Sequence, residues 1–368
     1  MDEVEIYKSL HDEADLQRRR EIAQSEISWM NRQGPARPEF LRLRAVIRMN
    51  SGALKGAGQD VDEALAIDGK DPNTLQLDGD ILAKLGRHDE AIAAYRKILV
   101  GDPVNRFALT SLGYVSREAG HDQEAEKYFQ RLAAAYPRLY VPFLALGDMY
   151  TSRRNFSRAE ANYRKAFELA PRNSLIVAGG MNAAIEAHQY PVAAEWLNRA
   201  SGDMQQDAQV MREKERYLRW VGDYKQSAEV GREAIKKLPT DRDVIVYLGY
   251  DLLHLELYDE LAELTSRYRD SLPKEPDIPL LAGYVHKHSG QLEQAQQDFT
   301  RVLDLDPSVV TAYVNRGYVL KDLHQPTAAA ADFASALRLA AKNGKAHSGL
   351  ASASLDLHHS QVARRQAQ

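Results

Sequence analysis

The stretch YVPFLALGDMYTSRRNFSRAEANYRKAFELAPRN, residues 140–173, reads as two helices and two stops. Phe143, Leu146, Gly147 and Tyr150 recur at i, i+3, i+4 and i+7, the spacing of one helical face, and Ala159, Tyr163 and Ala166 repeat that spacing further on. Pro171 ends the second run, because proline lacks an N–H and biases the residue before it away from helix. Working outward, Pro103, Pro137, Pro171, Pro239, Pro273 and Pro307 are separated by multiples of 34 residues, and position 205, the missing member of the series, is Gln. Counting each Pro as position 32 opens frames at 38, 72, 106, 140, 174, 208, 242, 276 and 310, with a tenth at 344 that the chain end cuts short.

Other columns then align with no insertion or deletion from 38 to 368. Position 20 reads Ala57, Ala91, Ala125, Ala159, Ala193, Ser227, Leu261, Ala295, Ala329 and Ala363. Position 8 holds Gly79, Gly113, Gly147, Gly249, Gly283 and Gly317; position 24 holds Tyr95, Phe129, Tyr163, Phe299 and Phe333. Small residues mark close approach of two helix backbones, and the aromatic fills the space between hairpins. Gly52, Gly86, Gly120, Gly222 and Gly290 at position 15 suit the end of a first helix. Each unit is therefore helix A, tight turn, helix B, tight turn, and only stacking of neighbours buries its apolar face. The columns weaken over frames 174–275, where Met181, Lys214, Glu215, Gly231, Leu261 and Thr265 replace the expected residues, so packing there is expected to be less regular.

The period and the columns, best in frame 140–173, resemble the tetratricopeptide-repeat (TPR) family over residues 38–368. The resemblance implies an all-α fold, a right-handed superhelix of antiparallel hairpins, acting as a protein-interaction scaffold rather than an enzyme. Residues 1–37 read as a helix to about Asn31 and then a breaker, Gln33 to Pro38, which makes them a cap or a degenerate repeat.

Composition excludes several function classes. With 368 residues, a net charge of −4 and a pI near 6.3, no basic field recruits nucleic acid. There is no cysteine, hence no disulfide and no thiolate chemistry. No apolar run approaches the length of a membrane span, and the acidic start Met1-Asp2-Glu3 is unlike a signal peptide. The expected compartment is the cytoplasm, or the periplasm if the chain is processed. Gly52, Gly56 and Gly58 follow no strand, Gly344-Lys345 lacks the rest of a phosphate loop, and His254, His286, His288 and the pair His358-His359 have no partners at ligand spacing. No cofactor, metal or catalytic residue is expected.

In the family, helix A lines a concave groove that receives peptides or helices. On a helical wheel, positions 4, 7, 8 and 11 form the core face and positions 2, 5, 9, 12 and 13 the groove face. The groove set places Tyr250, Tyr284 and Tyr318 at position 9, over Val246, Leu280 and Val314 at position 5, with Asp243 and Asp277 at position 2 and Lys287 and Lys321 at position 12. Tyrosine offers contact area at low entropic cost, which binding surfaces favour. A secondary candidate is Arg212, Arg216 and Arg219 on one helix face beside Trp220, although Glu213 and Glu215 make a salt-bridge network the plainer reading. The family's carboxylate-gripping subclass matches only at Asn315 and Lys345, two of five positions. The alternative to a free scaffold is the recruiting arm of a larger enzyme or cell-envelope export machine, suggested by the cut tenth frame, and the same end invites self-association.

Overall fold

The computed structural model describes Ser28 and residues 38–366, with the side chains of the last helix described as far as His358; the reading of residues 1–37 as a cap lies outside the described residues apart from Ser28. Among the described residues there are twenty helices and no strand. They fall into two compact units, 1–187 and 188–368. The first holds hairpins Pro38–Asn50 with Leu54–Ile67, Pro72–Lys84 with His88–Gly101, Arg106–Glu118 with Asp122–Ala135, and Val141–Ser152 with Phe156–Leu169, followed by the helix Ser174–Glu186. The second opens on Tyr190–Arg199 and a single turn, Gly202–Gln205. It continues with Ala208–Trp220 and Tyr224–Lys237, Arg242–His254 and Tyr258–Tyr268, Asp277–His288 and Leu292–Leu305, and Val310–Asp322 and Pro326–Leu339, and ends in Gly344–Gln366. Within each unit helix A packs on its own helix B, helix B packs on the next helix A, and successive A helices also touch.

The boundaries have local causes. Position 34 supplies N-caps: Asp71, Asn105, Asp241 and Asn343 each accept a hydrogen bond from a backbone N–H in the first turn of the following helix A. At the other end of helix A the backbone turns left-handed at position 15. Five frames place Gly there, at φ between 73° and 84°. Arg154, His188, Glu256 and His324 adopt the same turn at φ 56–57° without glycine's freedom. The turn lets a backbone N–H three residues past the helix reach back to an unsatisfied carbonyl, as His121 does to Ser116 at 2.7 Å and Gln325 to Leu320 at 2.8 Å.

Side-chain packing centres on position 24. Tyr95, Phe129, Tyr163, Phe299 and Phe333 are at most 1% exposed. Each ring lies on the glycine at position 8 of its own hairpin, so closely that a Cβ on Gly79, Gly113, Gly147, Gly283 or Gly317 would come within 2.4–2.8 Å of a ring carbon. Two rings press on a second glycine from the following helix A: Gly179 for Tyr163, and Gly349 for Phe333.

The middle frames depart from this plan. Position 205 lies in the extra turn Gly202–Gln205, and Tyr190–Arg199 is only 10 residues long. In the 242 frame Thr265 replaces the ring, and the space beside Gly249 is taken by Leu281 of the next hairpin. In the 208 frame the two columns are exchanged. Glu215 stands at the glycine position and Gly231 at the ring position, so that a Cβ on Gly231 would meet Glu215 Oε1 at 2.3 Å.

The glycines give a test with opposite signs. Gly58, in Leu54–Ile67, has no neighbour within 4 Å of a built Cβ. Gly58→Ala should therefore stabilise by about 0.5–1 kcal/mol through helix propensity. Gly113→Ala gains the same propensity but overpacks Phe129, and should destabilise by about 1–3 kcal/mol. Denaturation midpoints of the two variants check both signs.

Candidate partner-binding surface

In the second unit, consecutive A helices bring Tyr250, Tyr284 and Tyr318 into equivalent places, and all three side chains are half-buried. Each is held by a different set of contacts. The Tyr250 hydroxyl donates to Asp277 Oδ1, and the Arg219 guanidinium lies 4.9 Å over its ring. Tyr284 meets Phe299 edge-on at 5.9 Å, and its hydroxyl accepts from Asn315 Nδ2 at 3.1 Å. Tyr318 meets Phe333 edge-on at 5.1 Å, and its hydroxyl donates to the Lys345 carbonyl at 2.9 Å. All three hydroxyls thus reach one hairpin forward. Burial, followed by the hydrogen bond to Asp277, pushes the Tyr250 hydroxyl far above the usual phenol range.

The aliphatic row does not share this surface. Val246, Leu280 and Val314 are 3%, 5% and 5% exposed and belong to the core. The wheel assigned position 5 to the groove because it treated helix A as packed on one side. Contact with the neighbouring A helices closes a second side, and positions 3 and 10 are buried as well, as at Val244 and Asp251.

The charged candidates are partly committed to one another. Arg242 pairs with Glu275, with Asp243 at 2.9 Å and with Asp277 at 3.3 Å. Lys287 Nζ is 3.4 Å from Asn315 Oδ1 and lies 5.4 Å over the Tyr318 ring. Burial lowers its pKa, Asp322 opposes that, and Lys345 adds to it. Lys321 Nζ donates to Ser352 Oγ at 2.7 Å.

The arginine candidates form an internal network. Arg212 reaches Glu213 at 3.1 Å and Asp241 at 3.5 Å, Arg216 reaches Glu213 at 3.4 Å, and Arg219 reaches Asp251 at 3.1 Å. Glu213, Glu215 and Asp251 are at most 2% exposed, so these are not the solvated surface pairs that the charge pattern suggested. Trp220 stands apart from them, 54% exposed and stacked at 6.1 Å on Tyr190. That pair begins a series not anticipated from the residues: Tyr224 stacks on His254 at 4.2 Å, and Tyr258 on His288 at 3.6 Å. A signal was available, since Tyr190, Tyr224 and Tyr258 all occupy position 17. His286 pairs with Asp298. Among the described residues, no three His, Asp or Glu side chains gather to hold a metal, and no helix is long and apolar enough to cross a membrane.

Helical hairpins joined by a left-handed turn, spaced by 34 residues and locked by a ring over glycine define a tetratricopeptide-type solenoid. Family models described as tetratricopeptide repeat match residues 78–139, 280–343 and 143–173, and the chain is a tetratricopeptide-repeat protein. The ring and glycine columns fail in the unmatched interval 174–279, and the unmatched first frame likewise has Ala45 and Val61 in their places. Comparison with curated proteins gives no match. Among solved structures, the chain is similar to one in the APC/C hetero-tetramer Cut9-Hcn1, with 15% identity and a TM-score of 0.54. That alignment covers 90% of this chain but 66% of the other, just under two thirds of its length. Similarity to the human IFIT1 dimer with m7Gppp-AAAA has 13% identity, a TM-score of 0.51 and coverage of 97% and 88%. Both show a shared fold.

The hydroxyl contacts rank the tyrosines as ties between hairpins. Tyr250→Phe removes a bond to a carboxylate and should cost about 1.5–3 kcal/mol, whereas Tyr318→Phe removes one to a neutral carbonyl and should cost about 0.5–1.5 kcal/mol. Chemical denaturation of the two variants, compared at one pH, checks the order.

Proposed function

We propose that the protein is a non-catalytic scaffold that receives a peptide or helical segment of a partner protein along the A helices of its second unit, with Tyr250, Tyr284 and Tyr318 as the contact row. Tetratricopeptide arrays in general are protein-interaction scaffolds. The observation that carries the finer reading is the recurrence of three half-buried tyrosines at one register in three successive hairpins. Each ring is braced by contacts from below or beside, so binding would cost little side-chain entropy. Equivalent residues of adjacent hairpins lie roughly 10 Å apart, given interhelical distances of about 8–10 Å, which an extended or helical segment can span. Val246, Leu280 and Val314 act from beneath, as the floor on which helix A is set. Asp243, Asp277, Lys287 and Lys321 flank the row with both signs of charge, which suits selection of register more than bulk attraction. Arg212, Arg216 and Arg219 serve the interior.

Affinity capture from the native cell with wild-type and variant chains tests the reading. Tyr284→Ala should weaken a captured partner by about 1–2 kcal/mol or more. Trp220→Ala, at the stacked column outside the row, should leave capture unchanged. A triple Tyr→Ala variant that keeps the helical circular-dichroism signal and every partner would remove the proposal.

A further inference from the structure

The exchange of columns in the 208 frame leaves an unusual interior. Glu215 is fully buried and neither of its carboxyl oxygens has a hydrogen-bond partner. It occupies the slot that a ring fills elsewhere, against Gly231 and close to Leu248 of the next hairpin. From that next helix A, Asp251 is also fully buried, and its Oδ2 is likewise without a partner while Oδ1 takes Arg219.

The carboxyls facing this space are not equally paired. Its own helix contributes Arg212, Glu213, Arg216 and Arg219; the following helix A contributes Asp251 and its N-cap Asp241; helix B contributes the uncharged Ser227, whose hydroxyl donates to the Glu215 carbonyl. Three guanidiniums thus meet four carboxyls, Glu213, Glu215, Asp241 and Asp251. Glu213 takes two arginines, Asp241 one and Asp251 one, and only Glu215 takes none. An isolated buried carboxylate costs several kcal/mol, so such a group keeps its proton instead.

We propose that Glu215 keeps its proton in the folded chain, and that its loss is a built-in device by which rising pH loosens the packing of hairpin 208–241 on hairpin 242–275. Burial, and next the charge on Asp251, push Glu215 well above the usual carboxylate range. Burial also raises Asp251 to about 6, against Ser227 and Arg219, which pull it down. In the unfolded chain both groups return to ordinary values near 4. The fold therefore binds the proton more tightly than the unfolded chain does. The associated stability is complete below about pH 4 and is lost as pH rises through the folded-state values. Once both carboxyls are ionised, Arg219 is the one guanidinium bonded to the pair, and the second charge must find water by leaving the Gly231 slot.

Infrared spectroscopy of the full chain labelled with ¹³C-carboxyl glutamate reads the proton directly. A protonated glutamate carbonyl band is expected at pH 6 in the wild type and is expected to be missing in Glu215→Gln. Asp251→Asn removes the neighbouring charge, and the band should then vanish at least about one pH unit lower. Hydrogen exchange of segments 208–254 reads the consequence. After correction for intrinsic rates, opening in the wild type should rise by up to about tenfold per pH unit between pH 5 and 7. Glu215→Gln should lose most of that slope, while segments 106–135 show none in either chain. Absence of the band in the folded wild type at pH 6 would overturn the proposal whether or not either variant folds. So would equal slopes in wild type and Glu215→Gln.

Discussion

One contact sets the rest of the structure: an aromatic ring from helix B pressed against the bare backbone of helix A. Gly113 under Phe129 and Gly283 under Phe299 show why the two columns are inseparable. A ring needs a partner with no Cβ, and a glycine in the middle of a helix costs about 1 kcal/mol unless something is gained by the missing side chain. Fully burying a ring of this kind is worth about 1.5–3 kcal/mol relative to exposure, which outweighs that cost. The ring also determines how deeply helix B sits on helix A, and thereby which positions of helix A remain for the surface.

Where the contact is missing, the chain has found other fillings of the same slot. Leu281 reaches back to Gly249 from the next hairpin, and Glu215 crosses from helix A toward Gly231. These substitutes are not equivalent. A leucine fills the volume with apolar atoms, whereas a glutamate brings a carboxyl group into a site with no hydrogen-bond donor to meet it. The three arginines on the same helix then read as compensation for acids in the interior. Glu213 and Asp251 are neutralised in this way and Glu215 is not.

The fold was legible because the ring, the glycine and the turn are each tied to one residue type by sterics, and steric demands recur at a fixed period. The candidate surface was legible only in part. Tyr250, Tyr284 and Tyr318 stand out as a column, but periodicity does not say how many neighbours a helix has, so the wheel placed Val246, Leu280 and Val314 one face too far out. The arginine network was legible as a network, but its burial was not, for a related reason. Alternating charges along 212–219 look the same whether the acids point to solvent or into a slot vacated by a ring. The clue was two residues read together, Glu215 in a glycine column and Gly231 in an aromatic column, and it has meaning only once the pairing of those columns is known. The stacked pairs Tyr224–His254 and Tyr258–His288 were hidden similarly, because each joins position 17 of one frame to position 13 of the next.

Tyr163 touches Gly147 in its own hairpin and Gly179 in the one that follows, and Phe333 does the same with Gly317 and Gly349. The hairpin is thus the unit of length but not the unit of fit. Each carries half of a joint whose other half is written in its neighbour, as a tongue needs the groove of the next plank. Shuffling hairpins along such a chain is therefore constrained by order as well as by size. A unit moved to stand after Tyr163 must present something as small as Gly179 six residues in, whereas the unit after Phe299 presents Asn315 at that place. Duplication of an adjacent pair preserves every joint but the new seam, so arrays of this kind are more readily lengthened than rearranged.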